Sequence, residues 1–220
     1  MSGFEVIKKA NQDYPRNNIA KPSVGVGGFC LPKDPFIFKK LLKNKNDGYR
    51  LSVSREVNSL ATMENLKRVI KIKNKYLKNK KIKILIMGIS FKGTPETIDI
   101  RNSVSLNLGL QLQKYKFHNV SFLDVMGKKI KDRFKLKIKL CNDKDLNKQD
   151  IILLTNNNPL YKDIVYSKLK NNTKAKKIIY DFTDMLDENL CSAIGYVYKK
   201  LWIKLASSLA VMAWVTYQEV

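Results

Sequence analysis

One thiol in this chain sits among residues that give it something to do. Residues 25–35 read Gly-Val-Gly-Gly-Phe-Cys-Leu-Pro-Lys-Asp-Pro, and each neighbour of Cys30 bears on its chemistry. Gly27 and Gly28 lack a Cβ, so the backbone there can approach a ligand closely or take up positive φ. Pro32 and Pro35 stiffen the turn that carries the thiol. Lys33 can favour the thiolate, which is the reactive form, or hold an oxyanion. Asp34 can orient a water or accept a proton. The pattern reads as a nucleophilic cysteine on a rigid, glycine-lined loop. The alternative is a small buried hydrophobe, the commoner fate of a cysteine.

No competing centre stands out. Cys141 and Cys191 complete an odd set of three with no Cys-x-x-Cys spacing, which argues against a disulfide framework or a zinc site and for a reducing cytoplasm. His118 is the one histidine, so a histidine-based metal site or a Ser-His-Asp triad is not expected.

The elements that must position the thiol follow from periodicity. Phe4–Asn11 has helical spacing, residues 16–35 form the cysteine loop, and Phe36–Leu42 resumes a short helix broken by Asn44–Gly48. From Leu51 to Lys78 one long helix is expected, because Val53, Val57, Leu60, Met63, Leu66, Val69 and Ile70 recur at three- and four-residue intervals. Residues 78–81 are a polar linker. Apolar runs at Ile82–Met87, Val120–Val125, Ile151–Thr155 and Ile178–Asp181 read as buried strands, and a helix over Ser103–Lys114 is expected with Asn102 or Ser103 as its N-cap. Strands alternating with helices imply a parallel, doubly wound sheet. Its ligand crevice should lie at the strand C-terminal ends, where Lys92, Asp124 and Asn156 gather. Two readings of Asp124 stand, a ligand-binding acid and a cap for the following turn.

Two blocks carry a family resemblance. Tyr14 to Pro35, Tyr-Pro-Arg-Asn-Asn-Ile-Ala-Lys-Pro-Ser-Val-Gly-Val-Gly-Gly-Phe-Cys-Leu-Pro-Lys-Asp-Pro, resembles the catalytic-cysteine segment of the nucleotide-sugar 6-dehydrogenases. Met87 to Ser103, which contains Phe-Lys and Asp-Ile-Arg-Asn-Ser, resembles the signature that opens their UDP-binding domain. Together the blocks extend the resemblance over roughly residues 4–198. The resemblance implies a helical central segment at 1–78 with the cysteine loop, a Rossmann-like UDP-sugar-binding α/β domain at 79–200, and a homodimer through helix 51–78. It also implies oxidation of a UDP-sugar C6 hydroxyl to a carboxylate with NAD, through a thiohemiacetal and a thioester on Cys30. Asp34 would place the hydrolytic water, and Lys33 would sit beside cofactor and substrate. Asn58 would act from the long helix, while Gly27 and Gly28 would let the loop close over the sugar. Arg16 would contact substrate, Lys92 the nucleotide or its pyrophosphate, and Arg101 the NAD. Tyr-Pro-Arg-x-Asn-Ile and Lys-Gly-x-Pro-Glu-Thr favour a UDP-N-acetylhexosamine substrate over UDP-glucose. The family's role is in surface-polysaccharide precursor synthesis.

Departures qualify the resemblance. The chain has no Gly-x-Gly-x-x-Gly on a strand-to-helix turn, so the NAD-binding domain is expected to lie outside it and this portion alone should not turn over. Phe29 stands where relatives carry a small or polar residue. Residues 201–220 form an apolar, aromatic stretch outside the family pattern, short of a bilayer span but able to dock on protein or lie on a membrane surface. No signal peptide is expected at the N-terminus, since Glu5, Lys8 and Lys9 interrupt it.

The chain of 220 residues carries a formal net charge of +23 and is 44% hydrophobic. That hydrophobic fraction is ordinary for a globular protein. The lysines are dispersed and mixed with asparagines without an aromatic stacking platform, so coding bias is preferred to nucleic-acid binding. A positive field also suits anionic UDP-sugars and NAD. Beside the enzyme reading stand a non-catalytic nucleotide-sugar-binding remnant and a basic nucleic-acid-binding protein.

Overall fold

The structure, a computed structural model, describes residues 3–14, 16, 18–77, 81–115, 117–169 and 177–200. Residues 78–80 of the expected linker at 78–81, and the tail at 201–220, lie outside them. Among the described residues no helix is long and apolar enough to cross a membrane.

Three helices come first, α1 (Gly3–Ala10), α2 (Cys30–Leu41) and α3 (Lys45–Tyr76). Two of their boundaries differ from the sequence expectation. Helix α2 begins at the cysteine rather than after Pro35, so Pro32, Lys33, Asp34 and Pro35 are helical. Pro32 falls in the first turn, where backbone N–H groups have no helical partner and its missing donor costs nothing. Pro35 gives up a single bond. Helix α3 begins at Lys45 rather than Leu51: Asn44 caps it, its side chain accepting from the Asn46 N–H at 2.9 Å. Gly48 is no breaker, because a Cβ there would meet Lys39 of α2 at 3.1 Å, and its absence lets the two helices cross closely.

The remainder is an α/β unit. Five strands, β1 (Ile84–Met87), β2 (Val120–Leu123), β3 (Ile151–Leu154), β4 (Lys177–Asp181) and β5 (Tyr196–Lys200), form an all-parallel sheet in the order β2-β1-β3-β4-β5. Helices α4 (Val104–Lys114), α5 (Gly127–Phe134), α6 (Leu160–Lys168) and α7 (Glu188–Ala193) connect them. Strand β5 was not among the expected strands. Strands β1 to β3 are buried at every residue, as continuous apolar runs covered on both faces require. One face, with Ile84, Ile86, Phe122 and Leu153, packs against Leu66 and Val69 of α3, Leu108 and Leu112 of α4 and Ile130 of α5. The other face, with Leu85, Met87, Ile152 and Leu154, packs against Tyr161 and Val165 of α6 and Cys191 of α7. Burying each such aliphatic side chain stabilises the fold by about 1.5–3 kcal/mol. The apolar stripe of α3 therefore divides. Leu66 and Val69 are core, whereas Leu60 is 66% exposed.

Candidate functional site

The cysteine loop is pinned at several points before it reaches the thiol. From α3, Asn65 donates to the Val24 carbonyl at 2.8 Å. Asn58, two turns earlier on the same helix face, accepts from the Val26 N–H at 2.7 Å and donates to the Val26 carbonyl at 2.9 Å. From the turn before α4, the Arg101 carbonyl accepts from the Gly28 N–H at 2.9 Å, and the Asn102 amide donates to the Gly28 carbonyl at 2.9 Å. Asn102 holds that pose with φ of 51°, a conformation asparagine tolerates better than most residues. The glycines answer to these neighbours. A Cβ on Gly27 would lie 2.5 Å from the Asn102 carbonyl oxygen, and one on Gly28 3.0 Å from the Phe91 ring.

Cys30 then opens α2 as an exposed free thiol, at the helix end where aligned peptide dipoles favour negative charge. One turn on, Lys33 is ion-paired with Asp34. Across from α2, the Arg101 guanidinium forks onto Asp99, with Nη2 to Oδ2 at 2.6 Å and Nε to Oδ1 at 3.0 Å. That hydrogen bond holds the Asp99 carboxyl below its usual range.

A second station lies at the sheet's switch point. Strand order reverses between β1 and β3, so the crevice sits above their C-terminal ends. Residues 88–93 and 155–158 form its lips. Asp124, just past β2, accepts from the Ile89 N–H at 2.7 Å and the Met126 N–H at 2.8 Å. It caps its own turn, as one of the two readings held, and also fastens the loop after β1. Asn156 donates to the Ser90 carbonyl at 3.1 Å and accepts from the Asn158 N–H at 3.0 Å, so it too is wall rather than free ligand. Ser90, Lys92, Gly93, Asp124 and Tyr161 line a shallow depression. Burial, with the Asp124 carboxylate adding, pushes the Tyr161 phenol far up. It therefore stays a neutral donor. Lys92 lines the same depression half-buried, and among the described residues it makes no ion pair. Its charge is available to an anion such as a phosphate.

The two stations are ends of one loop. Phe91 lies against Gly27 and Gly28, while its neighbour Lys92 faces the crevice. The structure thus gathers Cys30, Lys33, Asp34, Gly27, Gly28 and Arg101 into one patch with Lys92 beside it, and sets Asn58 beneath the cysteine loop. Arg16 is exposed, and among the described residues it makes no hydrogen bond or ion pair with either station. Sequence reasoning missed Asn65, whose signal was its two-turn spacing from Asn58, and the packing role of Phe91. Of the two N-cap candidates, Ser103 caps α4, accepting from the Leu106 N–H at 3.1 Å, and Asn102 serves the cysteine loop.

Residues 85–188 match the UDP binding domain of the UDP-glucose/GDP-mannose dehydrogenase family. The UDP-N-acetyl-D-mannosamine dehydrogenase of Methanococcus maripaludis is 30% identical over 205 residues, covering 90% of this chain and 44% of that protein. That of Campylobacter jejuni is 33% identical over 145 residues, covering 65% of this chain and 32% of that protein. The chain spans less than half the length of these curated relatives. Among solved structures, the UDP-D-ManNAc dehydrogenase of Pyrococcus horikoshii superposes with a TM-score of 0.68 at 23% identity, covering 91% of this chain and 44% of that one. The UDP-glucose dehydrogenase of Pyrobaculum islandicum gives 0.61 at 15%, covering 90% and 43%. Both establish a shared α/β fold. Residues 85–188 thus match the UDP binding domain of the UDP-glucose/GDP-mannose dehydrogenase family, and the similarity to the Methanococcus maripaludis protein carries on into the helices that precede it.

Proposed function

We propose that this chain is the UDP-sugar-binding and cysteine-bearing portion of a 6-dehydrogenase acting on a UDP-N-acetylhexosamine, the substrate class named for its relatives. The observation that carries this reading is the junction of the two sequence blocks. The Gly28 N–H meets the Arg101 carbonyl, and Phe91 meets Gly27 and Gly28, so the thiol is indexed to the loop that presents Lys92. Lys92 would bind the nucleotide's pyrophosphate in the crevice. The sugar would then extend toward Cys30, whose thiolate adds to the C6 carbonyl carbon. With NAD as acceptor of the hydride from that adduct, a water placed by Asp34 would then release the resulting acyl group as a carboxylate, the sulfur leaving as thiolate. Asn58 would act by holding the Val26 backbone rather than by touching substrate.

NAD, which accepts hydride in such a family, finds no complete site in these residues. Arg101 and Lys33, the groups assigned to it, are each engaged by a carboxylate, Asp99 and Asp34, and among the described residues no glycine-rich dinucleotide turn follows a strand. A homodimer through α3 and a place in surface-polysaccharide precursor synthesis belong to the same proposal.

Calorimetric titration with UDP, UDP-N-acetylmannosamine and UDP-glucose tests it. Saturable binding that weakens about tenfold or more in Lys92→Ala, the scale of one lost charge-assisted contact, is the expected result. A folded chain that binds none of the three refutes it.

A further inference from the structure

Phe29 immediately precedes the thiol and is 49% exposed, a position at which a large aromatic gains little from burial. Its ring is nevertheless occupied. The Arg101 guanidinium carbon lies 4.3 Å from the ring centroid and the Lys33 Nζ 4.9 Å from it, both inside the distance of about 6 Å at which cations are attracted to an aromatic face. The two cations come from different elements, Lys33 from α2 and Arg101 from the turn before α4. Each also holds a carboxylate, Asp34 and Asp99 respectively. The ring therefore joins two ion pairs across the junction, on the residue that immediately precedes Cys30.

We propose that Phe29 is a positioning residue that gathers Arg101 and Lys33 beside the Cys30 sulfur, so that this thiol favours electrophiles carrying negative charge. The inference deepens the proposed function and rests on its reading of Cys30 as the reacting thiol. Without the ring, Lys33 and Arg101 keep their half-buried carboxylate partners Asp34 and Asp99 but lose the contact that draws the two ion pairs together next to Cys30. An exposed cation–ring contact is worth about 0.5–1 kcal/mol, or roughly a two- to fivefold population of the gathered state.

The test compares alkylation of Cys30 by iodoacetate, an anion, with alkylation by neutral iodoacetamide, read at the Cys30 peptide by mass spectrometry on the full chain. The ratio of the two rates cancels the thiolate fraction and reports local charge, which a merely structural role for Phe29 would not move. Buried Cys191 must stay unmodified, which confirms that the chain is folded during the reaction. At low salt the ratio for Cys30 is expected to exceed that of glutathione by about three- to tenfold, and to fall toward it near 1 M salt, where screening shortens to about 3 Å. Phe29→Leu is expected to reduce the ratio by about threefold, while Phe29→Trp, a better cation acceptor, restores it. A ratio equal to glutathione's in the parent chain, or one unchanged in Phe29→Leu, overturns the inference. Failure of the proposed function shows separately, as absence of UDP binding, and leaves this ratio where it was.

Discussion

Gly27→Ala tests the junction on which the functional reading stands. The backbone at Gly27 is one that any residue adopts, so the substitution acts through space alone. The new Cβ would stand 2.5 Å from the Asn102 carbonyl oxygen and 3.1 Å from the Phe91 Cβ. The first neighbour is backbone and cannot swing aside. A carbon–oxygen contact of ordinary length is about 3.3 Å, so the loop must retreat by about 0.8 Å from the turn at 101–102. That retreat opens both bonds at Gly28, its N–H to the Arg101 carbonyl and the Asn102 amide to its own carbonyl, each 2.9 Å. At about 0.5–1.5 kcal/mol for each bond, the loss is about 1–3 kcal/mol. Urea unfolding followed by circular dichroism measures it, and the alkylation rate of Cys30 reports whether the thiol has lost its seat. Asn102→Gly, which keeps the positive φ and removes one bond, should fall midway. If Gly27→Ala unfolds within about 0.5 kcal/mol of the parent, the range of an uninvolved surface change, and Cys30 reacts as before, the two blocks do not meet in solution and the reasoning fails.

Other outcomes follow from the same geometry. Ser103 caps α4 through the Leu106 N–H and donates to the Ile89 carbonyl at 2.6 Å while buried. Ser103→Ala should therefore cost about 1–2 kcal/mol, read as a lower urea midpoint, and a midpoint equal to the parent's would contradict both bonds. Stability should also fall in alkali. Burial pushes the Cys191 thiol and the Tyr196 phenol up to about 12, and raises Tyr180 as well. These groups stay neutral in the fold but ionise in the unfolded chain near their ordinary values, about 8.5 for cysteine and 10 for tyrosine. The unfolded state therefore holds fewer protons, and stability declines as pH rises through that range toward the folded values. Urea midpoints taken from neutral pH upward should drop above about pH 9, and a flat profile would show that these groups are not buried as described.

The sheet was legible because its strands are unbroken apolar runs. Ile-Leu-Ile-Met at β1 and Ile-Ile-Leu-Leu at β3 leave little else to read. Strand β5 was not, since Tyr196-Val-Tyr-Lys-Lys200 ends in two lysines and closes an edge, where polar residues are tolerated. The start of α2 was hidden by Pro32 and Pro35, which usually announce a loop. A first turn needs no N–H donors, so proline there carries no information about where the helix begins. In the site, types and spacing pointed to Cys30, Lys33, Asp34 and Lys92. They could not show that backbone donors occupy Asp124 and that backbone groups of both kinds occupy Asn156, because that depends on which loops the fold brings together. Nor could they show that Phe29 collects cations from two elements far apart in sequence.

The loop between β1 and α4 holds the crevice at one end and the cysteine at the other. Ser90, Lys92 and Gly93 line the crevice, and Arg101 and Asn102 grip Gly28. Asp124 anchors its near end and Ser103 its far end. Such a loop works as a ruler. Under the proposed function, the length of ligand that reaches the thiol from the crevice would be set by its span, so discrimination among sugars would be a matter of reach before it is a matter of contacts. Shortening or lengthening that one segment should change which ligands are measured correctly while leaving the chemistry of the sulfur intact.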